Sequence, residues 1–308
     1  MSQAIDAPAS PSSALVANVQ RIITGLLILG PVVAVAVAIP VLWGRALHPR
    51  DIVIAVVLYA ITGHGVTVGF HRLFTHRGFT AKRALKITLA VAGSMAIEGS
   101  VVSWVANHRL HHVNSDKAGD PHSPHTSGSG LFGQVRGFMH AHVGWLFKAD
   151  AADTERYAAD LLRDKDVVMV SKLFPVFALS SLALPFAIGA LLSLSWVGGL
   201  TAFIWAGLIR MALLHHVTWS VNSICHMFGR RPFKTTDQSR NVAVLAVISM
   251  GESWHNLHHA LPSAARHGVL RHQLDSSARL IRIFEVAGWA TNVRWPTAAQ
   301  LSGLAAAR

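Results

Sequence analysis

The chain carries the apolar stretch LFPVFALSSLALPFAIGALLSLS at residues 173–195 and, almost immediately afterwards, GLTAFIWAGLIRMALLHHVTWS at residues 199–220. An α-helix needs about 20 apolar residues to cross a bilayer, and each stretch is long enough. The short connection between them predicts a hairpin of two membrane helices. This hairpin decides the class of fold, because it fixes both of its flanking polar regions on one side of a membrane.

Two further apolar stretches near the N-terminus predict two more spans, at about 22–43 and 51–70. Residues 1–20 are polar and rich in Ala, Ser and Pro, which predicts a disordered arm ahead of a first span that is retained rather than cleaved. A fifth run, about 84–105, is interrupted by Glu98 and preceded by basic residues. We expect it to lie in the membrane interface as a helix rather than to cross.

The composition agrees with a membrane protein. Of 308 residues, 52% are hydrophobic and only 14% are charged, whereas soluble domains carry about 25% charge. This excludes a disordered protein and argues against an ordinary cytosolic globule. The single cysteine, Cys225, excludes a disulfide framework and a cysteine-based metal site. Histidine is unusually frequent, with 19 residues against 15 acidic ones.

The basic residues predict the orientation. Arg45 and Arg50 lie between the first two spans and Arg210 lies within the fourth, and all other Lys and Arg residues fall on the opposite side. By the positive-inside rule that side is cytoplasmic. We therefore predict an all-α integral protein of the cell membrane, with four transmembrane helices, a cytosolic helical cap (residues 71–172 and 221–296) and a C-terminal tail (297–308). No feature indicates a nucleic-acid partner.

The histidines gather in three clusters, HRLFTH (71–76), HRLHH (108–112) and HNLHH (255–259), while His226 stands apart. On an α-helix the three histidines of H-x-x-H-H lie within roughly 100° of one another, so their rings point the same way. His71 and His76 would diverge by about 140°, which indicates either two different metals or a frayed helix end. Neutral imidazole is a ligand for iron, zinc and copper. The pattern predicts a histidine-rich metal site in the cap.

These motifs resemble those of the membrane-bound fatty acid desaturases, in the delta-9, stearoyl-CoA desaturase-like branch and its bacterial form. The resemblance runs from about Gly69 to Pro296 within a domain of residues 21–296. It is carried, in order, by GFHRLFTH (69–76), WVANHRLHH (104–112), DPH (120–122), HVGW (142–145), TWSVNSICH (218–226) and GESWHNLHH (251–259).

The resemblance implies two ferrous ions as cofactors, with dioxygen as co-substrate. The implied metal ligands are His71, His76, His108, His111, His112, His226, His255, His258 and His259, with Asn222 reaching a metal through water. It also implies a bent substrate tunnel near Thr218 and Trp219, although Trp219 also suits a membrane-interface aromatic. Tyr59 is a candidate for closing the tunnel end or for simple packing between helices.

Polar residues near the boxes are expected to orient the imidazoles through hydrogen bonds. The candidates are Asp116, Asp120, Glu252 and Asn256, and Asp120 also suits a turn before Pro121.

The implied activity is the oxygen-dependent insertion of a cis double bond, at the delta-9 position, into a long saturated acyl chain with two external electrons. Animal members have Arg-Asp before the second box and use it on the CoA head group, whereas this chain has Ala106-Asn107. The carrier is therefore open between CoA, a carrier protein and a lipid. No cytochrome b5-like extension follows residue 259, so we expect a separate electron donor such as a ferredoxin with its reductase.

Two alternatives remain at this stage. One is another histidine-box enzyme, a hydroxylase, a ketolase or an alkane monooxygenase. The other is a non-enzymatic metal-binding membrane protein. A basic cap would suit an acidic donor, a phosphate-bearing carrier and membrane lipid alike.

Overall fold

The computed structural model describes residues 11–42, 47–148 and 152–306, which are mostly helical. Helix α1 spans Pro11–Leu42, and α2 spans Pro49–His64 and continues as a π-helical segment, Gly65–Thr75. The other helices are α3 (Arg83–Ser94), α4 (Val101–Asn114), α5 (Gly130–His142), α6 (Thr154–Tyr157), α7 (Ala159–Leu162), α8 (Lys165–Lys172), α9 (Phe174–Ser193), α10 (Trp196–Ala202), α11 (Arg210–Met227), α12 (His255–Ala260), α13 (Ser276–Val286) and α14 (Ala298–Leu304). A second π-helical segment, Phe203–Ile209, joins α10 to α11, and 3₁₀ turns occupy Gly144–Phe147 and Ala243–Leu245.

Within the described residues, three helices are long and apolar enough to cross a bilayer: Pro49–Thr75, Phe174–Ser193 and Trp196–Met227. They agree with three of the four predicted spans. Phe174–Ser193 presents large apolar side chains such as Leu179 and Leu191 on its outer surface, as expected for contact with lipid.

The first predicted span is not among these three. The apolar part of α1 that the structure describes, Thr24–Ala34, is shorter than the roughly 20 residues of a crossing. A fourth span at 22–43 therefore stays a prediction.

The disordered arm is corrected in part. Residues 1–10 lie outside the described residues, but helix α1 already begins at Pro11. Proline is favoured at the first position of a helix, and the Ala, Leu, Val and Gln residues that follow can continue one.

The run expected as one interfacial helix at 84–105 consists of two helices. Helix α3 ends at Ser94, and α4 begins at Val101 with the Ser100 hydroxyl accepting a hydrogen bond from the Ser103 N–H. Between them the chain turns through Ile97 and Gly99, whose φ angles are 61° and 111°. Neither helix is long enough to cross a bilayer, which fits the expectation that this run does not span.

Helix α3 packs closely on the π-helical segment that follows α2. A Cβ added to Gly65 would lie 2.2 Å from the backbone nitrogen of Gly93. The main buried core includes Val68, Phe70, Leu89 and Val105. A two-stranded antiparallel sheet pairs β1 (Thr80–Ala81) with β2 (Ala290–Thr291), with Thr80 opposite Thr291. The sheet ties the C-terminal region to the chain leaving the π-helical segment.

Candidate metal centre

Five histidines from three parts of the chain form one group, with one ring nitrogen of each within 4.8 Å of the others: His71, His76, His108, His112 and His258. The Nε2 atom of His258 lies 3.1 Å from that of His71 and 2.9 Å from that of His112. The Nε2 atoms of His108 and His112 are 3.1 Å apart. We call this set the five-histidine group.

The other four predicted ligands form a second set of the same kind, His111, His226, His255 and His259, here called the four-histidine group. The Nε2 atom of His255 lies 3.0 Å from that of His226 and 3.0 Å from that of His259. The two groups adjoin, because the rings of His112 and His259 stack at 4.6 Å. All nine histidines singled out in the sequence are thus brought together.

The two H-x-x-H-H boxes divide their histidines between the groups in opposite ways. Helix α4 gives His108 and His112 to the five-histidine group and His111 to the other. Helix α12 gives His255 and His259 to the four-histidine group and His258 to the five-histidine group. Residues four apart share a helix face, so each pair converges while the third ring turns toward the neighbouring group.

The expectation for His71 and His76, two different metals or a frayed end, is corrected. Both belong to the five-histidine group, and their ring centroids are 4.8 Å apart. The backbone N–H of His76 donates to the carbonyl of His71. This i→i+5 bond is that of a π-helix, which brings residues five apart onto one face.

The arrangement of the ring nitrogens suits coordination of a metal better than hydrogen bonding between the rings. The Nε2 atom of His258 cannot hydrogen-bond in line to two neighbours, because an imidazole nitrogen has a single in-plane proton or lone pair. Among the residues that the structure describes, the buried Nε2 atoms of His76 and His111 have no hydrogen-bond partner. At a metal–nitrogen distance of about 2.1 Å, adjacent ligands lie about 3.0 Å apart in an octahedron and about 3.4 Å apart in a tetrahedron. The five shortest separations, 2.9–3.1 Å, lie near the octahedral value.

Carboxylates hold the opposite nitrogen of four of these rings. The Nδ1 atom of His71 lies 2.5 Å from Glu252, that of His111 2.9 Å from Asp120, that of His226 2.9 Å from Asp116, and that of His259 2.7 Å from Asp237. A proton on Nδ1 facing a carboxylate leaves the Nε2 lone pair for a metal and fixes the ring orientation. Asp116, Asp120 and Glu252 thus lie where ring-orienting residues are required.

The fourth predicted orienting residue, Asn256, has a different place. Its side-chain oxygen accepts from the backbone N–H of Phe233 and its amide donates to the carbonyl of Ser239. Asn256 therefore stabilises the loop that carries Asp237. It does not orient a histidine ring. Asp237 itself was missed, because it lies in a polar loop well before the third box, and no spacing rule connects it to His259.

Arg72 was also missed, although it directly follows His71. Its buried guanidinium donates to Glu252 (2.9 Å) and to Asp275 (3.0 Å), as well as to the backbone carbonyl of Ala265. The buried charge is therefore paired on two sides, as such a charge requires. Arg72 holds Glu252 in place against His71.

Burial sets the protonation of the ligands. Desolvation, with repulsion from the neighbouring rings, holds the pKa of His76, His108, His112, His255 and His258 well below the usual 6.5. Desolvation likewise lowers the pKa of His259 to about 4, although Asp237 opposes the shift. These imidazoles are neutral near pH 7, which is the form that binds metal.

Of the three residues expected at a substrate tunnel, Thr218 is linked to the five-histidine group through two other side chains. The Thr218 hydroxyl donates to Glu98 (2.8 Å), and Glu98 also accepts from the Trp104 indole, whose ring stacks on His108 at 4.9 Å. Trp219 is buried, with its ring 5.2 Å from that of His215. Tyr59 packs with Val66, Ala96 and Leu214, and its hydroxyl donates to the Ile248 carbonyl.

In the sequence, Glu98 only interrupts an apolar run, and no motif indicates a role for it. Burial raises its pKa to about 7, against the opposing hydrogen bonds from Thr218 and Trp104. Asn222 lies in α11 one turn before His226, and its water-mediated role stays a prediction.

Known proteins with similar sequences belong to a family of the kind that the histidine groups indicate. Residues 51–288 match the family model described as fatty acid desaturase. The chain is 38% identical over 87% of its length to the Hex-5-enoyl-[acyl-carrier protein] acetylenase of Moorena producens (strain JHB), of which the match covers 84%. It is 37% identical over 83% of its length to Delta-9 acyl-lipid desaturase 1 of Arabidopsis thaliana, with 79% of that protein covered. It is 36% identical over 78% of its length to the sn-1 stearoyl-lipid 9-desaturase of Anabaena variabilis, with 83% covered.

The match takes in the second, third and fourth predicted spans and all nine clustered histidines. Relatives at this identity and coverage, together with the family model, show what kind of protein this is. The chain is an oxidoreductase that belongs to the fatty acid desaturase family.

Proposed function

We propose that this protein inserts a cis double bond, at the delta-9 position, into a long saturated acyl chain, using dioxygen and a pair of iron ions held by the two histidine groups. The observation that carries the proposal is the convergence of nine imidazoles into adjoining groups of five and four. Five imidazoles exceed the tetrahedral set that zinc prefers, and their spacing suits six-coordinate iron.

The reaction removes two hydrogens from neighbouring methylene carbons and reduces one dioxygen to two waters with two electrons and two protons. An unactivated C–H bond is not acidic, so no side-chain base in the site can start this reaction. Bound iron would supply the oxidising power, and the protein supplies position and exclusion of water.

The side chains of this chain have three tasks in that scheme. Glu252, Asp120, Asp116 and Asp237 keep the proton of their histidine partners on Nδ1 and so keep Nε2 as the ligand atom. Trp104 stacks on His108 and covers one side of the five-histidine group with an apolar ring. Thr218, tied to Glu98, and Trp219 would shape the path of the acyl chain so that one methylene pair stops beside the metals.

The partners follow from charge and position. The basic residues of the cap support a site on the cytoplasmic side, where a separate acidic donor such as a ferredoxin would deliver electrons. A lipid-linked acyl chain is the preferred substrate form, because two relatives are named as acyl-lipid or stearoyl-lipid desaturases.

A second candidate is favoured by one finding. A relative with 38% identity is named an acetylenase acting on a hex-5-enoyl chain attached to acyl carrier protein. Forming a triple bond from a double bond is the same removal of two hydrogens from neighbouring carbons. The substrate would then be shorter, already unsaturated and attached to a carrier protein.

Product analysis tests the proposal. We expect expression in a strain that lacks unsaturated fatty acids to yield a delta-9 monounsaturated chain, located by mass spectrometry. His258→Asn should abolish the product, and His272→Asn, the same change at an exposed histidine, should leave it unchanged. Asparagine is chosen because His272 has a φ of 65°, which asparagine tolerates.

Other products would decide against the proposal. A hydroxylated chain would assign the protein to the oxygenases, and a triple bond formed from a fed terminal alkene would favour the acetylenase. Wild-type product levels in His258→Asn, with normal amounts of protein in the membrane, would contradict the metal assignment itself.

A further inference from the structure

A cavity of about 490 Å³ opens beside the first half of α13, apart from both histidine groups. Three arginines line it, together with two other polar residues and an aromatic ring: Arg266, Arg279, Arg282, Gln273, Asp275 and Trp295. Arginine is the side chain best suited to bind phosphate, because its planar donors match two phosphate oxygens at once.

The acidic residues near the cavity accept hydrogen bonds from other groups of the protein. Asp275 is buried and accepts hydrogen bonds from Arg72 and from the backbone N–H groups of His267, Gly268 and Ala278. Glu285 accepts from Arg282 and from the Trp295 indole. Within the described ranges, neither Arg266 nor Arg279 takes part in an ion pair. Arg266 and Arg279 therefore present guanidinium groups that no carboxylate of the described residues pairs with, in a lining that also includes the Asp275 carboxylate.

The N-terminal end of α13 lies against a membrane helix. The Ser276 hydroxyl is 3.1 Å from Nε2 of His64, and the Ser277 hydroxyl is 2.7 Å from that of Thr67. Both partners belong to the membrane-crossing helix Pro49–Thr75, near the end that leads to His71. The cavity is therefore at the level where a membrane helix leaves the apolar part of a bilayer.

The exposed face of α13 is both basic and apolar. This face carries four residues whose helical spacing brings them together: Arg279, Arg282, Ile283 and Val286. The side chains of Ile283 and Val286 are 62% and 77% exposed. Trp289, just beyond the helix, is 53% exposed. Arginines beside exposed aliphatic and tryptophan side chains are typical of a helix that lies in the membrane interface.

We propose that this cavity binds the phosphodiester group of an anionic phospholipid, with Ile283, Val286 and Trp289 inserted among the acyl chains next to it. A soluble phosphate offers the same chemistry but would leave these apolar side chains in water. An acidic protein docked on the arginines would do the same. The proposal concerns binding alone and does not depend on the reaction that the histidine site catalyses.

Lipid titration of the full-length protein in detergent tests this. Native mass spectrometry gives the apparent affinity for phosphatidylglycerol and for phosphatidylcholine with the same acyl chains. Each arginine near a membrane surface strengthens anionic lipid binding about fivefold. Arg279→Gln should weaken phosphatidylglycerol binding by that factor and Arg266→Gln/Arg279→Gln by about 25-fold, with phosphatidylcholine unaffected. Arg163→Gln, an exposed cap arginine away from the cavity, should change nothing.

Three outcomes overturn the proposal. The first is equal binding of the two lipids, or phosphatidylglycerol binding that the cavity variants do not weaken. The second is displacement of the lipid by glycerol phosphate at equal concentration, which would assign the cavity to soluble phosphate. The third is loss of ferredoxin binding in Arg279→Gln with lipid binding unchanged, which would assign it to an acidic protein. Unchanged thermal melting of each variant shows that folding is intact.

Discussion

Single carboxylates decide how the histidine rings of the two groups are oriented. Asp237 lies 2.7 Å from Nδ1 of His259 and Glu252 lies 2.5 Å from Nδ1 of His71. An amide in place of either carboxylate keeps the size of the side chain but removes the charge that favours a proton on Nδ1.

We therefore expect Asp237→Asn and Glu252→Gln each to weaken iron binding by about 10- to 100-fold. Competition with a chelator of known affinity, followed by metal analysis, measures this. Asp153→Asn is the matched control, because Asp153 is exposed and caps helix α6, a place that asparagine fills equally well. Unchanged iron affinity in both site variants would show that these carboxylates do not orient the ligands.

Glu98 gives a prediction about pH. Its pKa of about 7 leaves it neutral below that pH and ionised above it. An ionised carboxylate next to Thr218 would disfavour the approach of an apolar acyl chain, so kcat/KM should fall as the pH rises through about 7. Glu98→Gln should flatten the profile in this range, whereas Glu155→Gln, on the exposed surface, should not. An identical fall in Glu98→Gln would contradict this role.

At the scale of elements, the crossing of the π-helical segment and α3 sets the position of His71. Gly65 meets the backbone of Gly93 so closely that a methyl group on Gly65 would lie 2.2 Å from a backbone nitrogen. Backbone cannot move aside as a flexible side chain does, so the two elements would have to separate.

Gly65→Ala should therefore destabilise the protein by at least about 1–3 kcal/mol and lower its iron content, because His71 moves with the π-helical segment. Thermal melting and metal analysis of the purified protein provide the two readouts. Gly303→Ala is the control, since a methyl group there meets no described residue within 4 Å. Equal stability of the two variants would mean that the crossing is looser than the structure has it.

The elements also show what could be predicted from the sequence. The second, third and fourth spans and the nine histidines were accessible, because apolar length and the H-x-x-H-H spacing reflect local geometry. The π-helical winding that unites His71 with His76 was not, because a five-residue spacing on an α-helix indicates divergence. The break of the 84–105 run was missed because an apolar stretch hides a turn at Gly99. Asp237 and Arg72 depend on tertiary contacts between distant segments.

At the scale of the whole molecule, stability depends on keeping the buried imidazoles neutral. The pKa values of His76, His108 and His258 in the folded state lie below 6.5, so the unfolded chain binds more protons once the pH falls below about 6.5. The unfolding free energy of the metal-free protein should therefore be largest above pH 6.5 and decrease as the pH falls toward about 5. Bound iron stabilises the same neutral form and should raise the melting temperature throughout the range above that decrease.

Melting curves in detergent at several pH values, with and without chelator, check this expectation. The chelated protein should melt at a lower temperature, and its melting temperature should fall with decreasing pH. A metal-free melting temperature that is constant between about pH 7 and about pH 5 would show that the folded state protonates these rings freely.

We propose that the nine histidines hold two iron ions side by side. Elemental analysis of the purified, active protein tests this most directly. We expect two iron ions per chain in the wild type and a loss of iron in both His112→Ala, from the five-histidine group, and His226→Ala, from the four-histidine group. A single metal ion per active chain, or full iron content in either variant, would contradict it.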